Sequence, residues 1–182
     1  IYKCFPDVQF CVFTNGSVLA NNPEVADEIA RLGNVSPMFS LEGWEEATDK
    51  RRGRGMWGVI SKAMRNMRER GVIFGFACTV TRENVDEIYS EAFIDYLLEK
   101  GALYGWYFQY IPLGRNPDIS MMVSPKQRDF MRRKIYELRN KRPILLVDFQ
   151  NDGPEVGGCL AGGHTYLHIS PQGDVEPCVF VH

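Results

Sequence analysis

Cys159 and Cys178 lie 19 residues apart, and Gly173 stands five residues before the second. Between them runs Tyr166-Leu-His-Ile-Ser-Pro-Gln-Gly-Asp-Val, which reads as a strand, a Pro/Gly turn and the start of a return strand. A hairpin of that length folds back on itself and can bring two thiolates to one metal centre. His164 or His168 could complete a zinc site with the two cysteines. Zinc-finger spacing, however, places its cysteines about two to four residues apart, which these are not. The remaining thiols have plainer uses. Cys78 sits inside an apolar run, where a thiol packs as a small hydrophobe. Cys4 and Cys11 are separated by six residues and flanked by Phe5, Pro6, Val8 and Phe10, which suits core or surface positions.

A second group of polar residues closes apolar runs. These are Thr14-Asn15-Gly16, Ser40-Leu-Glu42-Gly43, Thr79-Val-Thr81 with Asn84, and Pro112-Leu113-Gly114. Each by itself has an ordinary use as a turn or a cap. Together they describe the rim of a site for a polar ligand. Arg51, Arg52 and Arg54 form a basic cluster just beyond Ser40, suited to a solvated face or an anion site. Arg52 is placed to reach back over the rim, and a guanidinium grips a carboxylate in two places. Asp148 and Asp152 flank the last apolar run. They are candidates for handling a substrate proton, or for capping the loop at Gly153 and Gly157.

The elements that must hold these groups follow from periodicity. Phe10 to Gly16 reads as a buried strand closed by a turn. Asn22-Pro-Glu opens a helix whose apolar face is Val25, Ile29 and Leu32, ended by Gly33. Val35 to Leu41 is a strand, and 43–55 is a polar, glycine-rich segment. Trp57, Ile60, Ala63, Met64 and Met67 mark a helix closed by Gly71, followed by a strand over 72–80. A helix covers about 85–100, a strand Tyr104 to Ile111, a Ser124-capped helix runs to about Asn140, and 143–149 is the last buried strand. Continuous apolar strands alternating with helices mean a parallel sheet covered by helices, either doubly wound or part of a barrel. In either, function gathers at the carboxyl ends of the strands.

The totals agree with a globular α/β chain: 182 residues, 45% hydrophobic and 12% aromatic. A net charge of −2 gives no electrostatic case for nucleic acid or a membrane surface. No run of about 18 apolar residues suggests a spanning helix, and no secretory leader pattern is present. Five cysteines without a dense framework fit a reducing, cytoplasmic setting. The Ile at position 1 and the apolar run Val179 to Val181 at the other end lead us to expect a piece of a longer protein.

At this point the sequence resembles a family. Ser40-Leu-Glu-Gly followed by Asp49-Lys-Arg-Arg52-Gly is similar to the fourth strand and following loop of radical S-adenosylmethionine enzymes. Their usual pattern is Ser-Leu-Asp-Gly and then Asp-x-x-Arg-Gly, so Glu42 stands where Asp is commoner. The Cys159, Gly173, Cys178 spacing resembles the opening of the SPASM-type extension, which binds auxiliary iron–sulfur clusters. The resemblance implies part of a (β/α)6 barrel over 1–150 with a C-terminal β-hairpin, the start of the extension, over 151–182. It implies that Ser40, Glu42, Arg52, Asn84 and the Leu113 backbone hold S-adenosylmethionine. Cys159 and Cys178 would be the first two thiolates of an auxiliary [4Fe–4S] cluster, whose norm is four.

The family's Cys-x3-Cys-x2-Cys loop does not occur in these 182 residues. The expectation is therefore a parent iron–sulfur oxidoreductase that cleaves S-adenosylmethionine reductively and forms a radical on a small-molecule or peptide substrate. The chain by itself should be inactive, should hold no cofactor, and could self-associate through an exposed sheet edge. One alternative is a metal-stabilised α/β binding module without catalysis. Another is a non-radical α/β enzyme that holds a phosphate with its arginines, although no glycine-rich phosphate loop follows any strand.

Overall fold

The structure is a computed structural model that describes residues 1–114, 116–159, 161 and 166–180. In chain order its elements are β1 (Phe10–Thr14), α1 (Ser17–Asn21), α2 (Pro23–Leu32), β2 (Val35–Leu41), α3 (Glu45–Arg52), α4 (Met56–Glu69) and β3 (Gly75–Val80). Then come α5 (Val85–Ile88), α6 (Glu91–Lys100), β4 (Tyr104–Gln109), α7 (Pro125–Lys141), β5 (Leu145–Asp148), α8 (Gly153–Val156), β6 (His168–Ile169) and β7 (Val175–Glu176). The first five strands form one sheet in sequence order, every neighbouring pair parallel. β6 and β7 pair separately as an antiparallel hairpin.

Register sorts the strand residues onto two faces. Leu41, Cys78, Tyr107 and Asp148 are aligned across β2 to β5, and all four are buried beneath the helices. Phe39, Phe76, Gly105 and Leu146 form the next row of that face, which carries the main core with Ile60, Met64, Met67, Phe93 and Leu97. Gly105 is required there, because a Cβ at that position would meet the Phe76 ring at 2.2 Å. Phe13, Ser40, Thr79, Trp106 and Phe108 belong to the opposite, concave face, where side chains are only partly covered. Phe13 touches Trp106 and Phe108, and Phe108 touches Phe149, which in turn meets Tyr166.

Several expectations need correction. β1 is an edge strand rather than a buried one: Cys11 and Phe13 are exposed because no strand lies beyond it in this sheet. The segment 43–55 is not simply a polar loop, since it contains α3. That helix has Glu45 and Glu46 in its first turn and Lys50, Arg51 and Arg52 in its last, the charge order that the helix dipole favours. The helix expected over 85–100 is two helices. Ser90 breaks it by accepting the Phe93 backbone N–H at 3.2 Å and starting α6 afresh. The cap of α7 is as expected and is a full capping box between Ser124 and Gln127.

Candidate functional site

The site is built where β2 ends. Glu42 directly follows the strand and is 2% exposed. Its carboxylate receives Arg52 Nη2 at 2.5 Å through one oxygen and Arg51 Nη1 at 3.2 Å through the other. Both arginines come from the last turn of α3, so the short helix serves to deliver them. Its start is fixed by Thr48, whose Oγ1 accepts the Glu42 backbone N–H at 3.2 Å and donates to the Gly43 carbonyl at 2.8 Å. Gly43 has φ +134°, and a Cβ there would sit 2.2 Å from Glu87 Oε1. Only glycine lets the chain turn that tightly past Glu87, which also accepts the Trp44 backbone N–H. Burial pushes the Glu42 carboxyl up, and the two guanidiniums oppose that shift.

Asn84 supports the same corner from the end of β3. Its Nδ2 donates to the Glu42 carbonyl at 2.9 Å and to the Thr79 carbonyl at 3.0 Å, while its Oδ1 accepts from the Thr81 backbone and hydroxyl. All four capacities of the amide are used within the protein, so Asn84 holds backbone. Asp49, the acid of the Asp-x-x-Arg-Gly segment, accepts the backbone N–H groups of Trp57 and Gly55 at the start of α4. Those bonds hold its carboxyl below the usual range. Ser40 lies on the concave face, and its half-buried hydroxyl has no partner among the described residues. Arg52 Nε is buried and likewise without a hydrogen bond among the described residues.

The expected ligand set therefore divides. Arg52, Glu42 and Asn84 form one connected cluster, and Ser40 is two residues away on the same strand end. Leu113 stands apart: its backbone N–H closes a tight turn on the Ile111 carbonyl at 2.8 Å, and its side chain is exposed. A cleft of about 520 Å3 opens over the ends of β2 and β3. Its walls include Glu42, Arg51, Thr81, Asn84, Asp118 and Ser120. Among the described residues, Ser40, Arg52 and Leu113 do not line it. Arg51 was foreseen only as a member of the basic cluster, and Thr48 not at all. The signal for Arg51 was present in three arginines within four residues; Thr48 has no comparable sequence signature.

Asp148 and Asp152 are not at the rim of the concave face, as the sequence suggested. Asp148 is aligned with Leu41 and Tyr107 and points under the helices. There it accepts from the Tyr89 hydroxyl at 2.8 Å and from Asn151 Nδ2 at 2.9 Å. Burial raises its carboxyl above the ordinary carboxylate range. Asp152 accepts the Asp148 backbone N–H at 2.9 Å and pairs with Arg139 at 2.6 Å. Asp152 thus ties the end of β5 to α7, and Asp148 ties it to Tyr89 between α5 and α6.

In the hairpin, the Ser170 N–H donates to the Asp174 carbonyl and the Gly173 N–H to the Ser170 carbonyl, each at 2.9 Å. Gly173 has φ +95°, the left-handed conformation its turn requires. His168 Nδ1 lies 2.7 Å from Glu176 Oε2 on the facing strand. Cys159 is exposed and Cys178 half-buried, both as free thiols. Burial, with the Cys178 thiol beside it, pushes the Tyr166 phenol up. His164, considered for zinc, lies outside the described residues. Among the described residues no three of His, Cys, Asp and Glu are gathered as a metal site. None of their helices is long and apolar enough to cross a membrane.

A half-open parallel sheet with a guanidinium cluster at one strand end defines a class. The fold is a partial radical SAM barrel followed by a hairpin, and the model of the radical SAM superfamily matches residues 3–92. It is 22% identical over 175 residues to the sporulation killing factor maturation protein SkfB of Bacillus subtilis (strain 168), covering 92% of this chain and 42% of that protein. Streptococcus suis SuiB bound to S-adenosylmethionine superposes with a TM-score of 0.72 at 15% identity over 98% of this chain and 45% of that one. Native anSMEcpe with bound AdoMet and Kp18Cys peptide gives 0.67 at 16% identity, over 94% and 51%. The chain thus spans about half, or less, of the length of these relatives.

The residues present fit one end of S-adenosylmethionine. A buried, unpartnered Arg52 Nε and a free Ser40 hydroxyl at one strand end suit a ligand that carries a carboxylate and a ribose. They do not supply three thiolates for a radical-generating cluster, and the hairpin offers two of the four that an auxiliary cluster takes.

Proposed function

We propose that this chain is the S-adenosylmethionine-binding half-barrel and first extension hairpin of a cytoplasmic radical SAM enzyme that modifies a peptide. The observation that carries the reading is the buried Glu42–Arg51–Arg52 cluster at the end of β2, which leaves Arg52 Nε unsatisfied beside the mouth of the sheet. Arg52 binds the ligand carboxylate, Ser40 a ribose hydroxyl, and the Leu113 backbone the adenine; Asn84 and Glu42 hold that corner in shape. When bound, the cofactor and its cluster supply the radical chemistry, and the protein supplies orientation and exclusion of water. Residues 1–150 form the barrel portion and 151–182 the extension, with Cys159 and Cys178 as auxiliary-cluster thiolates.

A peptide is the favoured substrate on two grounds. SkfB is by name the maturation protein of a killing factor, and SuiB and anSMEcpe have been seen with peptides. The net charge of −2 also gives no electrostatic case for a polyanion.

The test uses the protein at its natural length, reconstituted anaerobically with iron and sulfide. With reductant and S-adenosylmethionine it should release 5′-deoxyadenosine and change the mass of its peptide. A reconstituted, cluster-loaded protein that releases none would overturn the reading.

A further inference from the structure

The chemistry around Glu42 goes one step beyond a list of ligand contacts, and it rests on the reading of this corner as a carboxylate-binding site. Two guanidiniums face one buried carboxylate: Arg52 at 2.5 Å and Arg51 at 3.2 Å. The oxygens of the neighbouring acids are engaged elsewhere. Lys50 is taken by Glu83 at 2.8 Å, and Asp49 spends its oxygens on the backbone at the start of α4. Glu87 bonds the Trp44 backbone N–H. Glu42 thus holds the two guanidiniums by itself. Arg52 also keeps one buried N–H with nothing to receive it. Leaving a buried charged donor unmade is unfavourable, and an incoming carboxylate would satisfy it.

Glu42 is in turn unable to move away. Its backbone N–H is held by Thr48, its carbonyl by Asn84, and the next residue is the close-packed Gly43. We propose that Glu42 is a positioning residue rather than a ligand contact: it draws Arg51 and Arg52 onto one anchored carboxylate and so aims the free Arg52 Nε at the carboxylate of the bound amino-acid cofactor. Arg51 becomes part of the device by taking the second oxygen of the same acid. Glu suits this arrangement because its longer arm lets two oxygens face two side chains on the same helix turn.

The experiment compares two probes by calorimetry on the reconstituted protein at its natural length. S-Adenosylhomocysteine carries the carboxylate tail and 5′-methylthioadenosine lacks it. Wild type should prefer the first. Glu42→Gln should weaken S-adenosylhomocysteine about tenfold or more, the scale of one charge-assisted contact, and leave 5′-methylthioadenosine nearly unchanged. Glu42→Asp should recover most of the loss. Arg51→Ala, at a partly exposed position, should lower the preference in the same selective way. Equal losses for both probes in Arg51→Ala and in a folded Glu42→Gln protein would show a merely structural role and overturn the inference alone. A wild type that does not distinguish the probes would overturn the carboxylate site itself, and this inference with it.

Discussion

Phe13 on the first strand and Trp106 on the fourth meet edge to face, with ring centroids 6.0 Å apart. Three strand spacings separate their backbones, about 14 Å in a flat sheet. The rings can touch only because the sheet is rolled toward its concave face, as a barrel segment is. The contact therefore reports curvature. A double-mutant cycle with Phe13→Ala and Trp106→Ala should give a coupling of about 0.5–1.5 kcal/mol, the usual worth of an aromatic pair. Urea denaturation would measure it. Additive losses would mean that the two strands do not approach in solution.

Gly43 offers a sharper test of the site's geometry. Alanine there must adopt φ +134° and places a Cβ 2.2 Å from Glu87 Oε1. Strain of that kind costs about 1–3 kcal/mol. Gly43→Ala should lose at least that much stability. Adding Glu87→Ala should recover only the part due to the clash, because the backbone conformation is unchanged. Full recovery would show that φ carries no strain at this turn.

Much of this was legible in the residues, for physical reasons. The parallel order of five strands follows from continuous apolar runs such as Val35 to Leu41 alternating with amphipathic helices, and Ser124-Pro announced the N-cap of α7. Glycine punctuation misled over 43–55. Gly43 and Gly53 mark the ends of α3 rather than a loop, and a short helix rich in charge has no apolar stripe to betray it. The break at Ser90 was hidden because Val85 to Leu97 keeps its apolar spacing across the two helices. Asp148 was misread because a strand's last acid can face either side. Register with Leu41, Cys78 and Tyr107 settles the side, and register is not written in one strand alone. The Arg52 spacing was readable, but its engagement by Glu42 depends on where α3 sits.

Asp148 predicts a pH signature. Burial raises its folded carboxyl above the ordinary range, so between the unfolded and folded values the native state binds more protons than the unfolded chain. This contribution to stability is present below the unfolded value and falls as pH rises through the folded one. Asp148→Asn removes the titration. Its stability should decline less than wild type from about pH 4 upward through the mildly acidic range, the window that opens at the ordinary carboxylate value. Chemical denaturation at several pH values checks this. Parallel profiles for the two proteins would show that the Tyr89 and Asn151 hydrogen bonds offset the burial completely.

The 182-residue chain alone should not cleave S-adenosylmethionine. It contains no Cys-x3-Cys-x2-Cys loop, and its thiols at Cys4, Cys11 and Cys78 lie in a 3-10 turn, on an edge strand and in the core. After anaerobic treatment with iron, sulfide and reductant, 5′-deoxyadenosine should stay at the level of a protein-free control. Turnover by the chain alone would require a cluster site that these cysteines do not form.

Cys178 provides the test of the extension. It is half-buried beside Tyr166 in the segment that closes the hairpin, whereas Cys159 is exposed at the segment's start. An auxiliary [4Fe–4S] cluster takes four thiolates, so losing one should release or cripple that cluster alone. In the protein at its natural length, Cys178→Ala should lower iron by about four atoms per chain, one cluster's content. The cluster that cleaves S-adenosylmethionine should remain, so 5′-deoxyadenosine should still form when reductant is supplied directly. Iron analysis and the visible charge-transfer band measure the first expectation, and product chromatography the second. Unchanged iron in the variant would make the Cys159–Cys178 segment a plain hairpin. Loss of both clusters would instead mean that the hairpin is needed to hold the barrel itself, through the Phe149–Tyr166 contact that joins them.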